Sequence, residues 1–166
     1  LKSDYLRTRR LPIRRAHILV PAVTAALFLI YDFFAAGDRV LKISIYFQIL
    51  GMALPFLSGL FCSMAAEQEQ TAGSLQTMLM VSQKRQAFLS KLLLLLFLGL
   101  TAVLIASLGF GLVFAAGSGN YEVGADFYLL VSFLMWGSCI PLYIFHLYLA
   151  LRLSKGLSMG LGIVES

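Results

Sequence analysis

The residues whose types could do chemistry inside the long apolar stretches of this 166-residue chain are few: His17, His146, Cys62, Cys139 and Asp32. A hydrolase needs a nucleophile oriented beside a base, or a metal set. Neither histidine has a carboxylate at a nearby sequence spacing, so two isolated histidines supply neither requirement. A proton relay would need the same missing partners, and an ion-coupled secondary transporter would add broken helices at mid-membrane. Cys62 and Cys139 lack metal-type spacing and sit in apolar runs, where a thiol is a small buried hydrophobe. No G-x-x-x-x-G-K-[ST] occurs, so the phosphate-cradling loop of that type is missing from the sequence.

The elements that must position these residues follow from composition. Hydrophobic residues make up 60% of the chain and charged residues 13%, against roughly 25% charged in a soluble domain. Mean hydropathy is +0.87. A chain of this size cannot hide that much apolar surface from water, and disorder needs the reverse composition. Outer-membrane barrels alternate over segments of about 10 residues, whereas these runs are long and unbroken. An integral membrane protein of class all-α, a polytopic transmembrane helix bundle, is expected.

A helix needs about 20 apolar residues to cross the hydrocarbon. Residues 17–36, 43–66, 92–117 and 127–151 qualify as four complete spans, the third ending where Gly117-Ser118-Gly119-Asn120 marks a turn. Residues 156–164 read as the start of a fifth. A signal peptide is a poor alternative for the first run, which is longer than an h-region and is followed at once by another span. The chain is expected to be a single transmembrane domain over 1–166 and a fragment of a longer one.

Eleven of the thirteen Lys and Arg residues fall on one side of these spans: six before the first, then Lys84, Arg85 and Lys91, then Arg152 and Lys155. Arg39 and Lys42 alone fall on the other. The positive-inside rule therefore predicts a cytoplasmic N-terminus, a cytoplasmic second connection and a cytoplasmic C-terminal end. The net charge of +5 is a topology signal, and nucleic acid is not implied. In the leading segment, 1–15, Tyr5, Leu6 and Ile13 interleave with Arg7, Arg9, Arg10 and Arg14. That pattern suits a short interfacial helix, which Pro12 would separate from the first span. A solvated positive flank that only fixes orientation is the plainer reading.

The second connection, 67–91, is the long one: EQEQTAGSLQTMLMVSQKRQAFLSK. Gly73 interrupts a helix there, and Ser74 can cap a new one. Leu75, Met78 and Leu79 then recur at i, i+3 and i+4, one apolar stripe on a short helix. The stripe must lie against something: the bilayer interface, the protein's own helices, or a soluble partner.

With Glu69, Ala72-Gly73-Ser74-Leu75-Gln76 and Leu79, then Lys84-Arg85 and Lys91 opening a span, this segment resembles the type-2 ABC-transporter permeases. The Ala-Gly pair and Gln76 are more like the lantibiotic-immunity permeases, whose start the first ten residues, His17 and Pro21 also fit. One departure is Val81-Ser82-Gln83 where the family carries a proline. The resemblance implies six spans in a complete chain and a cytoplasmic coupling helix. Glu69, Gly73, Ser74, Leu75, Gln76, Met78, Leu79 and Arg85 would then contact a separate ABC ATPase subunit, which alone binds ATP. It also implies a second permease subunit, residence in the bacterial cell membrane, and export of an antimicrobial lanthionine peptide for self-immunity. An ion-coupled transporter and a membrane enzyme are the competing classes.

Within the spans, Asp32 lies near the outer end of the first, either as an interface residue or as a contact for a cationic peptide. Trp136, alone in mid-span, is expected to pack. The small pairs Ala22/Ala26, Gly59/Ser63 and Gly156/Gly160 could bring helices close. Tyr31, Phe33, Phe34, Tyr46 and Phe47 flank the short outer loop as an aromatic belt would.

Overall fold

A computed structural model describes residues 12–35, 37–71, 84–116, 123–153 and 155–166. Among these residues the chain is helical: α1 Pro12–Phe34, α2 Arg39–Thr71, α3 Lys84–Ala116, α4 Ala125–Arg152 and α5 Lys155–Glu165. The first four are long and apolar enough to cross a membrane. Each begins before its predicted span, because hydropathy marks only the stretch that lipid covers and a helix continues wherever its backbone stays bonded; α1 and α3 end one or two residues short of the predicted ends. Pro12 opens α1, so Ile13, Arg14 and Arg15, read with the leading segment, belong to the first long helix. A proline at the first helical position gives up only an N–H that would have no partner there. Residues 1–11 lie outside the described residues. α5 occupies the segment read as the start of a fifth span, and its 11 residues rise about 16 Å, roughly half the hydrocarbon thickness.

Neighbours in sequence are not all neighbours in space. α3 packs chiefly on α1 and α4, α4 packs on α2, and α1 touches α2 only sparsely. The four long helices thus form a ring in the order α1–α3–α4–α2, with α5 laid against α2 and α4. Two buried clusters fill the ring. At the end where α1 begins, here the basic end, Ile13, Phe61, Cys62, Leu95, Tyr143 and Leu147 meet. At the opposite end Ala25, Ile43, Tyr46, Phe110 and Tyr128 do so. Outward-facing Leu27, Phe33, Leu112 and Leu134 are more than half exposed, the dress of a bundle that faces lipid.

Inside a bilayer no water satisfies polar groups, and many of those in the spans are occupied within the protein. Ser58, Ser63, Thr24, Thr101 and Ser132 donate to carbonyls one turn back on their own helices. Others reach across: the Tyr46 hydroxyl donates to the Ala106 carbonyl at 2.9 Å, Trp136 Nε1 to Leu96 at 2.9 Å and Ser107 to Tyr128 at 3.0 Å. Trp136 packs, as expected. Tyr46 does not belong to the interface belt: it is 1% exposed and stacks on Phe110 with ring centroids 4.0 Å apart. Tyr31, Phe33 and Phe34 do face outward.

Glycines set the closest approaches. A Cβ at Gly111 would come within 2.7 Å of the Tyr128 ring, and one at Gly99 within 2.9 Å of Tyr143, so α4 lays its tyrosines over glycines of α3. Of the three small pairs, only Gly59/Ser63 is buried. Gly156 and Gly160 face open space, while Ser158 and Gly162 carry the contact of α5 with α2. On α1 it is Ala25, between Ala22 and Ala26, that points inward. A matched pair tests the glycine contacts. Gly111→Ala should lower unfolding stability in detergent by about 1–3 kcal/mol, since the ring root of Tyr128 cannot swing aside. Gly109→Ala, which meets nothing within 4 Å, should be neutral or slightly stabilising.

Candidate coupling site

The predicted coupling residues Gly73, Ser74, Leu75, Gln76, Met78 and Leu79 lie outside the described residues. Glu69 falls in the last turn of α2, and Arg85 is exposed in the first turn of α3. What the structure does place is the frame from which that segment hangs. α2 and α3 are 33 residues each, about 50 Å at 1.5 Å per residue, against some 30 Å of hydrocarbon.

Lys91 ties the two helices together. It sits seven residues inside α3, is buried, and its ammonium donates to the Ala65 carbonyl of α2 at 3.2 Å. Small neighbours make room, since Ala65 and Ala66 are themselves buried. Sequence reasoning counted Lys91 only as a positive residue preceding a span. A cross-helix bond to a backbone carbonyl leaves no mark in hydropathy. α1 joins the same end through His17, fully buried, which stacks on Phe61 of α2 with centroids 3.6 Å apart. Its Nδ1–H donates to the Ile13 carbonyl at 2.8 Å, while Nε2 has no hydrogen-bond partner among the described residues.

At the opposite end, Asp32 forms an ion pair with Lys42 at 2.6 Å. Lys42 also donates to the carbonyls of Ala35 and Asp32, closing the C-terminal end of α1. Asp38 caps α2 by accepting from the Leu41 amide at 3.1 Å. Arg39 lies 4.9 Å from the Phe114 ring centroid. Both cations on the sparsely charged side are therefore engaged within the fold, and Asp32 is the ion-pair partner of Lys42. Between α2 and α4 at this end opens an apolar groove of about 480 Å³, whose polar members are Ser44 and Gln48.

The second correction concerns His146, which sequence spacing left without a carboxylate. The structure supplies one from 19 residues away: Glu165 Oε2 of α5 lies 3.1 Å from His146 Nε2. Among the described residues no group of three or more His, Cys, Asp or Glu could hold a metal ion.

If Lys91 clamps the frame, Lys91→Met should leave insertion intact while lowering stability by about 1–3 kcal/mol. Spin labels on the exposed positions Glu67 and Arg85 should then report a broadened distance between α2 and α3. An unchanged distribution would remove Lys91 from that role.

The family of ABC-2 family transporter proteins matches residues 4–165 of the chain, nearly all of it. No curated protein and no solved structure matches it. Membrane subunits of this kind generally pair with ATPase subunits and typically lack a nucleotide-binding site of their own. With four long apolar helices and a family match of this extent, the chain belongs to the ABC-2 family of transporter proteins as a multi-pass, all-helical permease.

Proposed function

We propose that this permease is an exporter subunit whose segment between α2 and α3 docks on a separate cytoplasmic ATPase. The observation that carries the reading is the pair of over-long helices flanking that segment. Together they exceed the bilayer on the basic side and are tied by Lys91 to Ala65. A frame of that kind transmits displacement from a soluble partner into the ring. The apolar stripe of Leu75, Met78 and Leu79 is the docking face, with Glu69, Gln76 and Arg85 as polar contacts at its rim and Gly73 and Ser74 setting the entry turn. The basic end is cytoplasmic, a reading supported by the eleven-to-two partition of Lys and Arg.

The substrate we assign is an antimicrobial lanthionine peptide, expelled for self-immunity, because the Ala72-Gly73 and Gln76 variant of the loop is most like that subgroup. A second permease subunit completes the pathway, and α5 is the opening of a fifth span.

Cysteine labelling in intact cells tests the orientation. Asn120→Cys should react with an impermeant reagent from outside and Gln76→Cys only after permeabilisation; the reverse pattern would overturn the topology and the docking site with it.

Docking itself is tested by replacing both leucines with serine. Each buried leucine contributes about 1.5–3 kcal/mol, so the double variant Leu75→Ser/Leu79→Ser should weaken ATPase binding about a hundredfold or more. Insertion should be unaffected, and both co-purification and peptide resistance should be lost. Recovery of the ATPase at wild-type yield would mean that the stripe lies on lipid.

A further inference from the structure

Pro21, Pro55 and Pro141 lie inside α1, α2 and α4, well beyond their first turns. A proline has no N–H, so the carbonyls of His17, Gly51 and Gly137, four residues back, lose their usual helical donors. Two of these three residues are glycines, and packing accounts for neither. Among the described residues, a Cβ at Gly137 would meet nothing within 4 Å, and one at Gly51 would meet only the tip of Met135 at 3.8 Å. α3 has no proline inside it, but Thr101 Oγ1 lies 2.7 Å from the Phe97 carbonyl and 3.0 Å from that of Leu98. Back-bonding of that kind competes with the main-chain ladder and bends helices.

These weak points share one level of the bundle. Gly51 of α2 faces Met135 of α4, two residues before Gly137. Pro21 and Pro55 both fall between the His17–Phe61 stack and the Phe28–Tyr46 pair, which join α1 to α2 on either side of them. Trp136, one residue before Gly137, bonds to Leu96 of α3, one and a half turns before Thr101.

The same level divides the two buried clusters. Ile13 and Ala25 belong to different clusters with Pro21 between them, as do Phe61 and Leu50 with Pro55 between them. On α3 the divided pair is Leu95 and Ala106, and on α4 it is Tyr143 and Tyr128. Cross-helix bonds brace each half separately. Tyr46 to Ala106 and Ser107 to Tyr128 tie the opposite-end half, while Cys62 to Tyr143 and Lys91 to Ala65 tie the basic-end half.

We propose that the ring is two stiff halves joined at mid-membrane by a hinge layer of Pro21, Gly51–Pro55, Thr101 and Gly137–Pro141, on which the opposite-end half rocks against the basic-end half. Bending anywhere else would open a packed cluster or break main-chain bonds; in this layer the clusters stay whole and the donors are already missing. α5 rides with the basic-end half, because its Ser158 and Gly162 pack on Gly59 and on the Pro55 carbonyl. The hinge lies wholly in the described helices. Its test therefore needs neither an ATPase nor residues 72–83, and its outcome is separate from that of the docking reading.

Electron-spin distance measurements on the full chain in lipid nanodiscs test the hinge. Pairs within one half are Ile30→Cys with Leu130→Cys, and Leu89→Cys with Phe145→Cys. Pairs bridging the layer are Ile30→Cys with Phe145→Cys, and Leu89→Cys with Leu130→Cys. All four positions are exposed, and the native thiols are buried. A bend of about 20° over a half-span of about 15 Å carries a helix end about 5 Å sideways, of which roughly half falls along a diagonal between labels. Bridging distributions should therefore be about 2–3 Å broader than those within a half. The double variant Pro55→Ala/Pro141→Ala restores two missing donors and should narrow the bridging pairs toward the within-half width, with the within-half distances unchanged. Pro12→Ala, at a first helical position where no donor is missed, should change nothing. Bridging pairs no broader than those within a half, or bridging pairs that stay as broad in the double proline variant, would each overturn the proposal.

Discussion

Water is missing from the interior of a bilayer, and this bundle is organised around that absence. A donor that finds no protein partner there costs several kcal/mol, so hydroxyls, the indole, the imidazole and a lysine have all been given carbonyls. Many of these carbonyls lie on another helix. Tyr46, Trp136, Ser107 and Lys91 are therefore at once satisfied groups and cross-braces. Each such bond is worth only about 0.6–2 kcal/mol in a membrane. Their larger effect is on register: a donor aimed at one particular carbonyl fixes how far one helix slides along its neighbour. The tyrosines over Gly99 and Gly111 then lock the rotation.

How much of this was legible depended on whether a feature was local. Four apolar stretches exposed four helices, and Gly117 marked the end of α3 to within a residue. The identity of neighbours was not legible. Hydropathy along the chain says nothing of a ring in which α3 intervenes between α1 and α4, so Tyr46 read as a belt residue although Phe110, 64 positions on, buries it. The same reason hid the carboxylate of His146, which comes from another helix. For small residues the sequence showed too many candidates: Gly156 and Gly160 have the spacing of a contact pair, but the face of α5 that meets α2 carries Ser158 and Gly162 instead. Of the proposed coupling site, the loop residues that sequence named lie mostly outside the described residues, and Lys91's bond was missed because a charge near a span's start ordinarily snorkels to the headgroups. Small alanines at the facing positions let it turn inward.

The two ends of the bundle differ in how they use charge. At the opposite end, Asp32, Asp38, Arg39 and Lys42 are consumed in closing one short connection: an ion pair, a cap and a cation over a ring. The basic end spends Lys91 on the frame and leaves Arg85 exposed at the mouth of the longer connection. The asymmetry that sets orientation by number is thus repeated in the roles the side chains take.

The sparse contact between α1 and α2 bears on how the chain is made. Ribosomal synthesis delivers these two helices to the membrane before α3, joined by a short loop, yet the surface each will bury is shaped by helices still to come. Until α3 arrives, what joins the pair among the described residues is chiefly the Lys42 latch and the ring contacts of His17 with Phe61 and of Phe28 with Tyr46. The hairpin is then a provisional tenant of the bilayer, open along the flank that α3 later takes. Closing that flank falls to α3, whose packing on α1 joins the hairpin to the rest of the ring.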